Sequence, residues 1–374
     1  MIWGLALFVT GQLVLAAAIE RWLPELRDPR YACRARKLCA RTAAEPKPLT
    51  VVMLGSSRVQ DGFDSSALEK QLARRFDRPV IVYNFGLPGT GPIANLLHFE
   101  RLCAANVKPD LLFVEFVPVM LTGPDGVPQE ATWYKADRLW EHELAVVERY
   151  GVPADALRRD WWQDWPVPCH GHRFAIVSRI LPRLLPLQLQ LNGDRRIDPS
   201  GWQPRNNAPL TADDRRRGLE YSRSGFGVSL QSFRLCEGAC RAQRDLLARC
   251  REERIPTALV WLPEGEVFRS WYPREAEADI RRFLDELIAE LGVPLVDARD
   301  WVDDDGFLDG NHLHASGAAD FSERLGREVV EPILALPRRQ WGDYLATRRR
   351  LGESGERPSV ARRLEAGGEG RSVR

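Results

Sequence analysis

The chain has 374 residues, with 53 Lys and Arg against 52 Asp and Glu and a formal net charge of +1. This length suffices for one large domain or two small ones, and 44% hydrophobic with 28% charged residues is typical of a globular protein. A net charge so close to zero gives no argument for binding to nucleic acid, so we expect no nucleic-acid partner.

Residues 2–19 form an uncharged apolar stretch close to the minimum length of a membrane-spanning helix. We interpret residues 1–20 as a transmembrane signal anchor, with a cleaved signal peptide or a buried helix as alternatives. We expect the protein to be membrane-anchored, with the main domain on the extracytoplasmic side. By the positive-inside rule, the basic residues that follow, from Arg21 to Lys37, would instead keep the main domain in the cytoplasm. Basic residues upstream of Met1 would reverse that argument.

The next part of the chain alternates between two kinds of pattern. Residues 21–48 are charged and end in a Pro-rich segment, which predicts a linker. Apolar runs bounded by turn residues predict five buried strands, at 49–54, 80–83, 111–117, 257–262 and 293–296. Amphipathic periodicity predicts helices between them, near 65–76, 93–105, 240–253, 275–291 and 315–330. Apolar strands that alternate with helices predict an α/β fold with a parallel sheet covered on both faces.

Two regions depart from this alternation. Residues 120–235 contain amphipathic stretches (139–150 and 174–191) and a Pro/Asn/Gly-rich segment (193–210), so we predict a helical insertion with long loops. Residues 338–374 hold 10 Arg and 5 acidic residues. With so few apolar residues, we predict that 337–374 form a disordered Arg-rich tail, which leaves 49–336 as the main domain.

Two short segments carry residues of a catalytic relay. Ser57 follows the first predicted strand, in the sequence Gly-Ser-Ser-Arg at 55–58, and Asp309 precedes His312 by three positions after the fifth. The carboxyl ends of parallel strands share one edge of a sheet, so the two segments are expected to meet there. A serine hydroxyl needs an adjacent base, and the base needs a group that orients it. Ser57, His312 and Asp309 are therefore the predicted nucleophile, base and orienting acid. Ser56 is the alternative nucleophile, and helix capping is the structural alternative for either serine.

These segments resemble the SGNH/GDSL hydrolases, a lipase- and esterase-like superfamily. Residues 55–57 are similar to its Gly-Asp-Ser block, 309–312 to its Asp-x-x-His block, and 84–89 to the block whose glycine amide helps form the oxyanion hole. The resemblance covers roughly 49–119 and 256–330. It implies a flavodoxin-like three-layer α/β/α fold with about five central strands. It also implies an oxyanion hole made by the amides of Ser57 and Gly89, with Gly86 as the second choice.

One block of the superfamily is missing from the chain. A Gly-x-Asn-Asp motif usually follows the third strand, and its Asn donates to the oxyanion, but residues 115–118 here read Glu-Phe-Val-Pro. Losing one such donor costs about 10²–10³ in rate. Arg58, beside the predicted nucleophile, is a candidate replacement. The departure resembles divergent membrane-linked branches with a Gly-Ser-Ser-Arg-like block, some of which O-acylate or deacylate cell-surface polymers.

The resemblance implies a serine esterase or O-acyltransferase that forms an acyl-enzyme on an ester of a small molecule or polysaccharide, without a cofactor. A non-catalytic SGNH-like binding or assembly protein is the alternative. Four residues near the ligand edge are predicted to contact substrate: Arg58, Asn84, Glu264 and Arg269.

A metal-dependent hydrolase is a third possibility. His312 and His314 lie two residues apart, and residues 169–172 read Cys-His-Gly-His. No standard zinc spacing is present, so we predict no metal site.

Overall fold

The structure is a computed structural model that describes residues 2–186, 197–205 and 208–352. Its strands are β1 (Leu49–Gly55), β2 (Val80–Gly86), β3 (Leu111–Glu115), β4 (Thr257–Trp261), β5 (Leu295–Asp297) and β6 (Arg350–Leu351). They form a six-stranded sheet in the order β2-β1-β3-β4-β5-β6, and every pair is parallel. The five predicted strands are β1 to β5, and their order is that of flavodoxin-like folds.

Eighteen α-helices occur in the described residues: α1 (Ile2–Arg21), α2 (Pro24–Arg27), α3 (Pro29–Ala44), α4 (Ser57–Gly62), α5 (Ser65–Ala73), α6 (Pro92–Ala104), α7 (Glu141–Arg149), α8 (Ala154–Asp164), α9 (Pro168–Gly171), α10 (Arg173–Ile180), α11 (Ala212–Ser222), α12 (Val228–Gln231), α13 (Glu237–Glu252), α14 (Glu266–Arg269), α15 (Arg274–Leu291), α16 (Ala315–Leu325), α17 (Glu331–Leu334) and α18 (Trp341–Ala346). The helices predicted near 65–76, 93–105, 240–253, 275–291 and 315–330 correspond to α5, α6, α13, α15 and α16.

Helices cover both faces of the sheet, because alternate residues of each strand point to opposite faces. Val52 and Leu54 of β1 pack in one core with α3, α6, α13 and α15. Val51 and Met53 pack in the other with α4, α5, α16, α17 and α18. This three-layer α/β/α arrangement confirms the predicted fold class.

The prediction that residues 21–48 form a linker is wrong over most of this range. α3 is a packed helix that Asp28 caps by accepting the backbone N–H of Tyr31. One stripe of this helix is buried, including Cys33 and Leu38, and the Tyr83 hydroxyl donates to the Arg34 carbonyl at 2.8 Å. Exposed charges around this stripe concealed its apolar face in the sequence. Before it, α1 is long and apolar enough to cross a membrane, as a signal sequence also is.

The region between β3 and β4 is largely helical, with α7 to α13 among its elements. The predicted stretches at 174–191 and 193–210 lie partly outside the described residues.

The prediction of a disordered tail is wrong for residues 338–351. α18 buries Trp341 and Leu345, and β6 pairs with β5 through Leu351, which is buried. Trp341, Leu345 and Leu351 dock this segment in the core, although its overall composition is polar. Residues 353–374 lie outside the described part of the chain.

Candidate active site

The turn from β1 into α4 presents Ser57 at the carboxyl edge of the sheet. Ser56 caps α4, its side chain accepting the Arg58 N–H at 3.1 Å. Ser57 occupies the first helical position and is half-buried. Its Oγ lies 2.8 Å from His312 Nε2, although the two residues are 255 apart in the chain. A β-carbon at Gly55 would lie 2.4 Å from Val59, so the tight turn requires glycine here.

Asp309 orients the His312 ring from the opposite side. Its Oδ2 lies 2.9 Å from His312 Nδ1, and its Oδ1 accepts the backbone N–H of His312 at 2.8 Å. Burial raises the pKa of Asp309. The charge and hydrogen bonds of His312 have the opposite and larger combined effect, so the pKa lies below its usual value. The structure therefore brings the three predicted relay residues into one hydrogen-bonded chain, with Asp309 ionised.

The loop that carries Asp309 and His312 is held closed by its own backbone. Leu308 N–H donates to the His312 carbonyl at 2.8 Å, and Gly310 adopts a left-handed conformation (φ 86°) between them. α11 packs against this loop so closely that a β-carbon at Gly218 would lie 2.2 Å from the Leu308 carbonyl oxygen. The insertion thus supports the loop that presents His312.

His314 lies at the entry to α16, where its side chain accepts the Ser316 N–H as a helix cap. Its other ring nitrogen lies 3.1 Å from the Ala208 carbonyl. Within the described ranges, no group of three His, Cys, Asp or Glu side chains is arranged to hold a metal ion.

The turn after β2 lies against the end of β1. The Leu87 N–H and the Thr90 hydroxyl both donate to the Gly55 carbonyl, each at 2.8 Å. Between them, Gly89 has φ 79°, and a β-carbon there would lie 2.9 Å from the Trp133 ring. This position requires glycine for both its backbone conformation and its surroundings.

Glu130 fixes the same turn from the side of the insertion. Its carboxylate is fully buried and accepts three backbone N–H groups at the start of α6, from Gly91, Ile93 and Ala94, at 2.8–3.1 Å. Burial raises the pKa of Glu130 to about 7, although these N–H groups oppose the shift. Sequence reasoning missed Glu130, because it lies about 40 residues from the turn within 3₁₀-helical Gln129–Trp133.

The Arg58 side chain points into the protein. Its side chain is 5% exposed and donates to three carbonyls at 3.1 Å, those of Asn311, Leu262 and Pro263. It therefore ties the residues after β4 to the His312 loop. Because its guanidinium is committed to these internal acceptors, the contacts give no support to the predicted roles of Arg58 as a substrate contact or as a replacement for the missing oxyanion donor.

The other three predicted substrate contacts also have internal partners. Asn84 is fully buried, and its amide donates to the carbonyls of Val59 and Phe63 at 2.7 and 2.8 Å. Glu264, also fully buried, accepts from Trp261 and Tyr272. Arg269 donates to the carbonyls of Glu264 and Arg299, both at 2.8 Å. Polar residues at strand ends predict ligand contacts, whereas in the structure these residues satisfy backbone and side-chain groups inside the protein.

Glu115, the last residue of β3, lies beneath the nucleophile turn. Its Oε2 accepts the Ser56 N–H at 2.6 Å, and Arg58 lies between it and Glu264, at 3.8 and 3.5 Å. Burial raises the pKa of both carboxyls, although the nearby guanidinium lowers it. The sequence signal for this role is a charged residue at the end of an otherwise apolar strand.

A second carboxylate lies close to the relay. Asp61 is fully buried, and Arg205 pairs with Asp61 Oδ2 at 3.0 Å and with Asp309 Oδ2 at 3.7 Å. Burial raises the pKa of Asp61, opposed by the charges of Arg205 and His312. Asp61 follows Ser57 by one helical turn, a spacing that could have predicted a shared helix face. Arg205 comes from a loop of the insertion, and no local pattern could have placed it.

In a comparison with protein families, residues 33–138 match a family described as a protein of unknown function (DUF1574). The matched range includes β1 to β3 and Ser57, and it ends well before Asp309 and His312. No curated protein matches the chain.

Proposed function

We propose that this protein is a membrane-associated serine esterase or O-acyltransferase, similar to the SGNH/GDSL hydrolases, that works through an acyl-enzyme on Ser57. The observation that carries the proposal is the chain of contacts from Ser57 Oγ to His312 Nε2 (2.8 Å) and from His312 Nδ1 to Asp309 Oδ2 (2.9 Å). Its position beyond the carboxyl ends of a parallel sheet, where ligands of such folds bind, supports the same function.

In the first half of the reaction, Ser57 Oγ attacks the carbonyl carbon of the ester while His312 Nε2 accepts its proton. Asp309, ionised and hydrogen-bonded to Nδ1, stabilises the imidazolium that forms. The first N–H groups of a helix lack intrahelical acceptors, so the Ser57 amide is free to donate to the oxyanion. The Gly89 amide is the second proposed donor. Collapse of the intermediate breaks the ester C–O bond, and His312 returns the proton to the leaving alcohol.

In the second half, water or a sugar hydroxyl attacks the acyl group on Ser57, and His312 accepts the proton of this attacking group. The carbon–Oγ bond then breaks and His312 protonates Ser57. Water as acceptor gives an esterase; a sugar hydroxyl gives an O-acyltransferase. Both outcomes use the same residues, so the proposal includes both.

A labelling experiment on the full-length protein tests the proposal. A fluorophosphonate probe should modify wild type at Ser57, and Ser57→Ala should abolish both labelling and turnover of p-nitrophenyl acetate. Ser56→Ala is the matched control: it removes the α4 cap, at a cost of about 1 kcal/mol, yet should still be labelled. A folded wild-type protein that resists the probe would contradict the proposal, as would labelling that depends on Ser56 instead.

The second candidate is a non-catalytic SGNH-like protein that binds or assembles a partner. Glu115 is the observation that favours it, because a carboxylate stands where these hydrolases usually carry a motif that donates to the oxyanion. An active enzyme of this type would lack a donor worth about 10²–10³ in rate. Turnover that stays at the Ser57→Ala background, in a protein of normal thermal stability, would support this candidate.

A further inference from the structure

The second half of α1 packs against the insertion. Gln12 Oε1 accepts the backbone N–H of Cys169 at 3.2 Å, at the start of α9. Ile19 lies in a small apolar core with Leu26 of α2 and Ala175 of α10. Residues 2–11, by contrast, are all exposed. α1 is therefore bare over its first half only.

This packing sets how close the insertion comes to any bilayer around α1. Gln12 lies nine residues before Arg21, about 14 Å along a helix that rises 1.5 Å per residue. The bare part, residues 2–11, is only about 15 Å long, half of a hydrocarbon core of about 30 Å. A bilayer that covers the bare half of α1 therefore reaches the level of α9, and a deeper one approaches α10.

The insertion segment that continues from α9 through α10 to residue 184 is apolar and basic, and it lies against α2, where Arg179 pairs with Glu25 at 3.1 Å. Ile180, Leu181 and Leu184 are 68%, 55% and 71% exposed. Arg179 and Arg183 flank these residues in the sequence, and Arg173 begins the same segment. Exposed apolar side chains interleaved with basic ones are typical of segments that lie in the headgroup region of a membrane. Trp22, directly after α1, is also exposed, and tryptophan is enriched at membrane interfaces.

We propose that residues 173–184 form a second membrane contact, lying in the headgroup region of the leaflet that α1 enters, with anionic lipid as the partner. The apolar side chains of Ile180, Leu181 and Leu184 enter the leaflet, and the neighbouring arginines meet lipid phosphates. The contact would hold the domain at a fixed height above the membrane. This proposal rests on α1 being held in a membrane and is independent of the chemistry at Ser57.

Site-specific fluorescence on the full-length protein in vesicles of phosphatidylcholine and phosphatidylglycerol tests the contact. An environment-sensitive fluorescent amino acid replaces Leu184 in one sample. In the matched control it replaces Tyr221 of α11, which is 78% exposed. We expect the emission at 184 to shift to shorter wavelength and to be quenched several-fold more by nitroxide-labelled lipid than by iodide. The label at 221 should show the reverse.

Two results would overturn the proposal. If iodide quenches the label at 184 as strongly as the label at 221, residue 184 is in water. If the label at 184 is shielded from both quenchers, a protein partner or a second copy of the chain covers the surface instead of lipid. Both substituted side chains are exposed, so we expect the variants to fold, and circular dichroism checks this. Neither result depends on esterase activity, so failure here is distinct from failure at Ser57.

Discussion

Replacing Asp309 with asparagine removes the charge beside the His312 ring with little change in shape. In the native protein Asp309 Oδ1 accepts the backbone N–H of His312 at 2.8 Å, and Oδ2 lies 2.9 Å from Nδ1. The asparagine oxygen can keep the first bond, which leaves its NH₂ group facing Nδ1. Nδ1 must then be the acceptor and Nε2 carries the proton, so His312 can no longer deprotonate Ser57.

The size of the effect follows from this change of tautomer. In triad enzymes the same substitution lowers kcat by about 10⁴, which corresponds to about 5.5 kcal/mol of barrier at 1.36 kcal/mol per decade. Asp309 is buried and its pKa lies below the usual value, so a full negative charge is lost at neutral pH. We expect Asp309→Asn to lower kcat for p-nitrophenyl acetate by about 10³–10⁴.

Asp61→Asn is the matched control, because Asp61 is equally buried and pairs with the same Arg205, at 3.0 Å. It changes only a nearby charge, and we expect a loss of about one decade or less, equivalent to 1.36 kcal/mol. Steady-state kinetics and the rate of fluorophosphonate labelling measure both variants. The reasoning fails if Asp309→Asn stays within tenfold of wild type, or if both substitutions are equally costly.

Three further predictions concern the surroundings of the site. Gly89→Ala should lower thermal stability and slow fluorophosphonate labelling, since its β-carbon would lie 2.9 Å from Trp133. The control is Gly126→Ala, which has a similar φ (78°) but no atom within 4 Å of the new β-carbon, and it should leave labelling unchanged. Glu130→Ala leaves three buried N–H groups without acceptors and should cost about 3 kcal/mol or more in denaturant unfolding; a cost below about 1 kcal/mol would contradict this role. His98 of α6 is buried, and burial lowers its pKa to about 3. Below about pH 6.5 the unfolded state therefore binds a proton that the folded state does not, and stability falls as pH falls. His98→Phe should therefore reduce the stability lost between pH 6.5 and 5 by about 2 kcal/mol; an unchanged loss would show that His98 titrates normally in the folded protein.

Much of the fold could be predicted because its signals are local. β1 to β5 are continuous apolar runs, and α5 begins where Asp64 accepts the Ala67 N–H as a cap. α3 and β6 were missed for one reason. Each docks through a few buried residues, among them Tyr31, Leu38 and Leu351, within segments whose composition is otherwise polar. Composition averages over a window, whereas docking depends on a few contacts.

The same distinction applies to the site. Ser57, Asp309 and His312 could be proposed from spacing and from their position after strands, because parallel strands bring their carboxyl ends to one edge. Their catalytic roles stay predictions, although their contacts are as expected.

Strands β1 to β5, the helices that alternate with them and the residues that meet at the edge of the sheet follow from the sequence, because local periodicity and strand direction define them. The inward orientation of Arg58, Asn84 and Glu264 is visible only in the folded protein. The same holds for the approach of Glu130 and Arg205 to the site from the insertion. A polar residue at a strand end has the same local pattern whether it meets water, a ligand or a buried partner. Its role depends on the groups packed against it, and those come from distant parts of the chain.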